Sequence, residues 1–243
     1  MADPTLKVVV AYHKNSTDRR AKLREIDPYN EVYVPVMGGH ALGNIPETFA
    51  DMQGDDTGED NWSSLNPYLC ELTCAYWAWK NMDILGNPDH IGLCHYARVI
   101  VPYSWLEYGL LPRTICAMQH AQQGLTNDAF IASYTPSFKA EADRVLNAVF
   151  PDQESQAFLT RFREFPHFPH YNIFVMETEE FDRFMQFNVQ AFNMLQDVLE
   201  GSRTTGAYPT RALACILEYL NGFYILHAAN IRGYRFQNSF IVH

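Results

Sequence analysis

The chain predicts an α/β fold with a central, mostly parallel sheet flanked by helices, and three stretches carry that reading. Leu6 to Ala11 (LKVVVA) is a β-branched run that ends in a polar loop. His90 to Tyr96 (HIGLCHY) is a second apolar run, entered through the turn residues Gly86-Asn87-Pro88-Asp89. Between them, Asn66 to Asn81 or Met82 has helical length and is apolar nearly all round. Continuous apolar runs of this length suit strands covered on both faces.

At 243 residues the chain is read as one large domain with ample length for a core. Hydrophobic content of 47% with 14% aromatics excludes a disordered chain. The net charge of −10 argues against non-specific nucleic-acid binding and gives no support for adhesion to anionic lipid. No apolar run is read as reaching the roughly 18 residues that cross a bilayer, so no transmembrane segment is expected. No basic stretch precedes an apolar one at the N-terminus, so no secretory signal is expected either. Five cysteines at spacings unlike any zinc pattern fit free thiols in a reducing cytosol.

Leu6–Ala11 reads as the first central strand, and its end leads into Tyr12-His13-Lys14-Asn15-Ser16. Residues 17–31 mix charges at short spacing, as a surface segment with partial helix. Val32–Val36 is a second strand, which Pro35 assigns to an edge or a strand end. Met37-Gly38-Gly39-His40-Ala41 is a turn whose glycines suggest close backbone approach to a ligand or another strand; no Gly-Lys-Ser/Thr follows, so it is not a P-loop. Residues 43–54 link it to the acidic turn formers Asp55 to Asn61. Asn66 then suits an N-cap and Pro67 the first helical position. Within this helix Cys70 and Cys74 read as buried small hydrophobes. Glu71 either has a fixed partner or ligand, or faces water near the helix start. His95, Tyr96 and Arg98 stand at the carboxyl end of the following strand, where open α/β sheets bind ligands.

After Arg98, Val99–Leu111 reads as an acceptor-side loop, Thr114–Gln123 and Ala140–Val149 as helices, and Asp128–Ala132 as a strand between them. Phe158–Phe165 has amphipathic helical spacing. His167 and His170 are separated by Pro169, which breaks the helix that would put them on one face, leaving a zinc chelate in a loop as the alternative. A strand at Ile173–Met176, a helix over Glu179–Glu200, a flexible loop at Gly201–Gly206 and a helix from Pro209 to His227 follow. Arg211 and Glu218 fall near one face of that last helix, and Arg232–His243 is a terminal strand or arm.

Taken together, AYHK at 11–14, the acidic DDTG loop, CELTxxYWAWKN at 70–81 and IGLxHYxR at 91–98 resemble the DUF4422 family of bacterial capsule and exopolysaccharide synthesis. The resemblance is dense over residues 6–98 and thinner, though in order, beyond. It implies a GT-A-like (Rossmann-like) nucleotide-sugar fold with a donor-binding half at 6–100 and an acceptor-side half at 101–243. The implied activity is inverting transfer of galactofuranose from UDP-galactofuranose. The implied acceptor is a growing cell-surface polysaccharide or glycolipid, a glycan or lipid-linked glycan. The implied place is the cytoplasm or the inner face of the cytoplasmic membrane. Implied donor contacts are Ala11, His13, Lys14, Asn61, Asn66, Glu71, Lys80, His95, Tyr96 and Arg98; Asn172 and Arg211 fall on the acceptor side. Trp77, Trp79 and Tyr96 are candidates to stack on uracil or sugar, with the hydrophobic core as the competing reading.

Glycosyl transfer must stabilise the leaving diphosphate, deprotonate the acceptor hydroxyl and exclude water. GT-A enzymes mostly meet the first need with an Asp-x-Asp motif on a divalent ion. Here the strand end reads His95-Tyr96-Ala97-Arg98, without a carboxylate. The expectation is that His95 and Arg98 contact the diphosphate directly and that no metal cofactor is used. The alternative is Mn²⁺ or Mg²⁺ on the acidic loop, through Asp55, Asp56 and Asp60 together with Glu59. Candidate bases are Asp56, Asp60 and Glu218, and the sequence leaves the three open. The family's usual His-Tyr-Arg-Arg-Tyr-Phe becomes His95-Tyr96-Ala97-Arg98-Val99-Ile100, the acidic loop is one residue longer, and the region after Arg98 is shorter. These departures keep open a second class of function: a weak or inactive relative that binds a nucleotide sugar or glycan.

Overall fold

The computed structural model describes residues 5–27, 31–100, 112–121, 125–238 and 241–242. In chain order the first half contains β1 (Leu6–Tyr12), α1 (Arg20–Ile26), β2 (Tyr33–Met37), β3 (Gln53–Gly54), α2 (Asn66–Leu69), α3 (Leu72–Lys80), β4 (His90–His95) and β5 (Val99–Ile100). The second contains β6 (Thr114–Ala121), α4 (Asn127–Tyr134), α5 (Pro136–Val149), α6 (Gln153–Glu164), β7 (His167–Glu177), α7 (Thr178–Met194), α8 (Gln196–Glu200), α9 (Ala212–Ile231), β8 (Arg235–Asn238) and β9 (Ile241–Val242).

Seven strands form one sheet in the order β3-β2-β1-β4-β7-β6-β8, and β5 pairs with β9 apart from it. β1 is central because its β-branched run can be covered on both faces: Val8, Val9 and Val10 are fully buried, and the strand pairs in parallel with both β2 and β4. Alternation along the strands divides the core in two. Val9, Ile91, Ile115 and Phe174 join the large layer beneath α3, α5, α6, α7 and α9, whereas Val8, Val10, Cys94 and Val175 face the smaller layer with Leu23 of α1. Only β7 runs against the rest, antiparallel to β4 and to β6. Its N-terminal part therefore lies at the same end of the sheet as the carboxyl ends of β1 and β4.

Several sequence expectations are corrected. The single helix expected from Asn66 is two, broken at Cys70, whose φ of 52° is left-handed. Asn66 does not cap it; its side-chain amide donates to the Cys70 carbonyl at 2.9 Å and to Thr73 Oγ1 at 3.0 Å, tying the two pieces across the kink. Thr114–Gln123, expected as a helix, is β6, because pairing between β7 and β8 overrides the helical preference of its Ala, Met and Gln. Asp128–Ala132, expected as a strand, lies in α4, capped where Thr126 Oγ1 accepts from Ala129 N at 3.2 Å. Pro35 sits within the sheet, but β3 reaches only Val36 and Met37, so the proline still meets no outer neighbour. Gly201–Thr205 forms a wide helical turn rather than a loose loop. The expected loop at Val99–Leu111 opens with β5, and 101–111 lie outside the described residues.

The membrane expectation also changes. The 20-residue α9, with a mean hydropathy of 1.3, is long and apolar enough to cross a membrane by length and composition, although 83% of that stretch is buried in this fold. Here its apolar surround is the protein itself, with Leu213, Ile216, Leu217, Leu220 and Phe223 fully buried.

Candidate functional site

The carboxyl ends of β1, β2 and β4 open onto a cleft of about 690 Å³. From β1 it receives Ala11, His13 and Lys14, and from the turn after β4 it receives His95, Tyr96, Ala97 and Arg98. That turn is tight: Arg98 N donates to the His95 carbonyl at 3.0 Å. Gly38 and Gly39 follow β2 and let Asn66 approach, since a Cβ on Gly38 would stand 2.8 Å from Asn66 Nδ2. Asp55 fixes this glycine turn from below. Its fully buried carboxylate accepts from Gly39 N at 2.9 Å and His40 N at 3.1 Å, and from the Ser63 hydroxyl.

The opposite wall comes from a bulge in β7. Ala117 pairs with Phe174 and Gln119 with Pro169, so His170, Tyr171, Asn172 and Ile173 together oppose Met118. Tyr171 and Asn172 take φ of 62° and 49°, a left-handed pair that side chains normally avoid. Polar contacts hold it there. The Tyr171 carbonyl accepts from His95 Nε2 at 2.8 Å, and Tyr171 N donates to Glu218 Oε1 at 3.0 Å. His170 Nδ1 stands 3.0 Å from the same Glu218 oxygen. Asn172 Nδ2 donates to Glu71 Oε1 at 2.6 Å, while its own carbonyl oxygen accepts from Asn221 Nδ2 at 2.9 Å. The Arg98 guanidinium lies 4.2 Å over the Tyr171 ring.

Charge follows from this packing. Glu71, with a side chain 10% exposed, lies 3.6 Å from His95 Nε2. Burial opposes its charge, but His95 and the Asn172 amide outweigh burial and hold the carboxyl below its usual range. For His95, burial likewise opposes the charge, and the Glu71 carboxylate reverses the balance so that its pKa is raised. His13 shifts the other way, lowered by burial and then by the neighbouring charges of His95 and Arg211. Burial pushes the Cys70 thiol, beside Arg211, up to about 11. Lys14, Arg98 and Arg211 all line the cleft, and among the described residues none of the three forms an ion pair. A concentration of cations in a chain of net charge −10 marks a place suited to an anion.

Of the sequence candidates, Ala11, His13, Lys14, Asn66, Glu71, His95, Tyr96, Arg98, Arg211 and Glu218 thus line one cleft, with Asn172 directly behind Glu71. The rest of the acidic loop does not join them. Asp56 pairs with His40 Nδ1 at 2.8 Å. Asp60 pairs with Lys80 at 2.8 Å and accepts from the Tyr76 hydroxyl at 2.7 Å. Asn61 Nδ2 donates within its own loop, to the Gly58 carbonyl at 2.9 Å. Asp55, Asp56 and Asp60 are therefore engaged by three different partners, and among the described residues no His, Cys, Asp and Glu side chains group as a metal-ligand set. Trp77 is buried in the core and Trp79 donates to Asp182 Oδ1 at 2.7 Å; Tyr96 alone of the three aromatic candidates lines the cleft. His170 serves Glu218 rather than pairing with His167. Sequence reasoning missed Tyr171 and Asn221. The available signals were a polar Asn inside the most apolar helix and a Tyr-Asn pair just after a proline-broken segment.

The family model described as "Domain of unknown function (DUF4422)" matches residues 7–134. No curated protein matches the sequence. Among solved structures, the fold is similar to the apo structure of the bifunctional glycosyltransferase WbbM, with a TM-score of 0.76 and 19% identity. That match covers 98% of this chain and 45% of the other, so the present chain spans less than half the length of its neighbour. At such identity the likeness is one of fold: an α/β architecture around a mostly parallel sheet, as the sequence predicts.

Proposed function

The chain belongs to the DUF4422 family, and on that premise we propose that it is a glycosyltransferase using a UDP-sugar donor. The donor we favour is UDP-galactofuranose, and the acceptor is a growing cell-surface polysaccharide or glycolipid. The observation that carries this reading is the convergence of Lys14, Arg98 and Arg211 on a cleft at the carboxyl ends of parallel strands. A nucleoside diphosphate leaving group develops charge on its phosphates as the glycosidic bond breaks. Fixed cations aimed at that position stabilise the transition state more than the ground state.

In the proposed reaction the acceptor hydroxyl oxygen bonds to the anomeric carbon while the bond from that carbon to the diphosphate oxygen breaks. UDP departs with the electron pair, and the hydroxyl proton passes to a carboxylate. Of the three candidate bases, Glu218 is the one supported by position, since Asp56 and Asp60 are paired elsewhere. Its Oε1 is held by Tyr171 N and His170, leaving Oε2 for the acceptor. The diphosphate is met by side-chain cations, with Arg98 held over the Tyr171 ring and its guanidinium fork suited to a two-pronged contact.

UDP release from UDP-galactofuranose, UDP-galactose, UDP-glucose and their N-acetyl forms, each with EDTA and with Mn²⁺, tests the reading. Turnover of one donor that survives EDTA is expected. Turnover abolished by EDTA would move diphosphate binding to a metal on the acidic loop. Ala97 lines the cleft where the family carries an arginine, which supports the binding-module reading as the competitor. A donor that raises the melting temperature without being turned over would favour it.

A further inference from the structure

Outside the lining of the cleft, and two ring contacts from the His170 that meets Glu218, α4 finishes in Tyr134, which is 50% exposed. Among the described residues the exposed large hydrophobics are Leu42, Ile84, Leu125 and Tyr134, so it is the aromatic one. Its ring is nevertheless fixed. It lies near-parallel to the buried Phe138, with centroids 6.0 Å apart and planes 19° apart, and edge-on to Phe130 at 5.3 Å. Phe130 in turn stands edge-on to the His170 ring at 5.2 Å, the ring whose Nδ1 meets Glu218. A continuous series of ring contacts thus leads from Tyr134 to the candidate base. Glu218 and Arg211 lie within electrostatic reach of the Tyr134 hydroxyl. Burial, then Cys215 and Glu218, push it above its usual range while Arg211 pulls it down.

We infer that Tyr134, backed by Phe138 and Phe130, is the platform on which the acceptor's terminal sugar ring stacks, so that the acceptor presents a glycan to Glu218 rather than a lipid chain. The inference rests on the transferase reading and names the acceptor class of the same site. One face of a sugar ring is a patch of C–H bonds, and its rim is hydroxyls. A single fixed aromatic face beside a carboxylate and a guanidinium complements both. An acyl chain needs a long apolar groove, and this rim carries Arg211 and Glu218 instead. Tyr134 contacts the substrate in this proposal but takes no part in bond making; it is a specificity residue.

Saturation-transfer NMR on the full chain, with and without UDP, tests this. The probes are methyl β-galactofuranoside, methyl β-galactopyranoside, octyl β-glucoside and the open-chain alditol sorbitol. The expected result is saturation at ring C–H protons of a methyl glycoside and none on sorbitol. Tyr134→Ala should weaken glycoside binding about two- to tenfold, the range of a lost aromatic contact. Tyr134→Phe and Tyr134→Trp should retain it, and UDP affinity by calorimetry should stay unchanged in all three variants. Equal saturation of sorbitol, binding of the octyl glucoside through its tail alone, or glycoside binding indifferent to Tyr134→Ala would each overturn the inference. UDP titration of the native chain reads the parent proposal separately: no UDP binding there sinks the donor assignment, whereas Tyr134-dependent glycoside binding still supports the platform.

Discussion

The side-chain amide of Asn172 donates to Glu71 Oε1 at 2.6 Å across 101 positions of sequence, joining the bulge of β7 to the break between α2 and α3. Asn172 is 5% exposed and also accepts from Asn221. Asn172→Ala should therefore cost about 2–6 kcal/mol in urea unfolding, as two buried polar groups lose their partner at roughly 1–3 kcal/mol each. Asn172→Asp should be worse at neutral pH, because it sets a second carboxylate against Glu71, and should recover on acidification. Equal stability of the Asp variant at pH 7 and pH 4.5 would contradict the contact.

The Glu71–His95 pair gives stability a pH signature. The folded pKa of His95 is raised, so its contribution is fully present below the ordinary value of 6.5 and is lost as pH rises through the raised value. The folded pKa of Glu71 is lowered, so its contribution is present above the ordinary 4.5 and is lost as pH falls through the depressed value. The difference in unfolding free energy between the native chain and Glu71→Gln should thus be largest between about pH 4.5 and 6.5 and shrink on either side. Taking the difference matters, because His13, His90 and His227 are all held below the usual histidine range, His227 at about 4. Their own contributions run the other way, fading as pH falls below 6.5. A difference that is flat from pH 4 to 8 would remove the ion pair.

Arg98 should matter to anion binding far more than the Asp60–Lys80 pair, which ties the acidic loop to the end of α3. Arg98→Ala is expected to weaken UDP binding about 10- to 100-fold, the loss of a charge-assisted contact, and to reduce its dependence on salt. Arg98→Lys should recover only part of this, since an ammonium keeps the charge but not the fork. Asp60→Asn, which loosens Lys80, should leave UDP affinity unchanged. Calorimetric titrations at two salt concentrations distinguish these outcomes.

Glu218→Gln should retain UDP affinity and lower kcat about 10²- to 10⁴-fold, the usual range for removing a general base. The glutamine oxygen can still accept from Tyr171 N, so the bulge keeps its shape. An equal fall in UDP affinity and turnover would instead mark Glu218 as a donor ligand.

The part of the fold most legible in the sequence is the one built from uninterrupted apolar runs. β1, β4 and α9 announce themselves, because strands and helices covered on all sides need little polar patterning. The region from Thr114 to Tyr134 reads wrongly in both elements. TICAMQHA contains helix formers and NDAFIASY contains β-branched and aromatic residues, and pairing with β7 and capping by Thr126 decide against local preference. The cleft was legible where function sits at strand ends, as at Lys14, His95 and Arg98. It was illegible where charge alone drew attention: Asp55, Asp56 and Asp60 look like a cluster in sequence, yet each side chain turns to a different partner. Tyr171 was hidden because its hydrogen bonds are made by main-chain atoms in a left-handed bulge, and its ring meets Arg98 only through that bulge, 73 positions away in sequence.

The lone reversed strand has a consequence for how this protein could be cut or inherited in pieces. The wall facing Lys14 and Arg98 is made by β7 and α9, both encoded after the segment that the family model matches. A fragment ending at residue 134 would keep Glu71 and His95 but discard Tyr171, Asn172 and Glu218, exposing a nearly buried carboxylate on a sheet with a bare β4 edge. Arg211 and Glu218 stand at the start of α9 and within it, so the cleft is complete only once that helix has docked. Nascent or truncated chains would then carry the recognisable motifs, Lys14 and Arg98 included, without the Arg211 and Glu218 that complete the cleft.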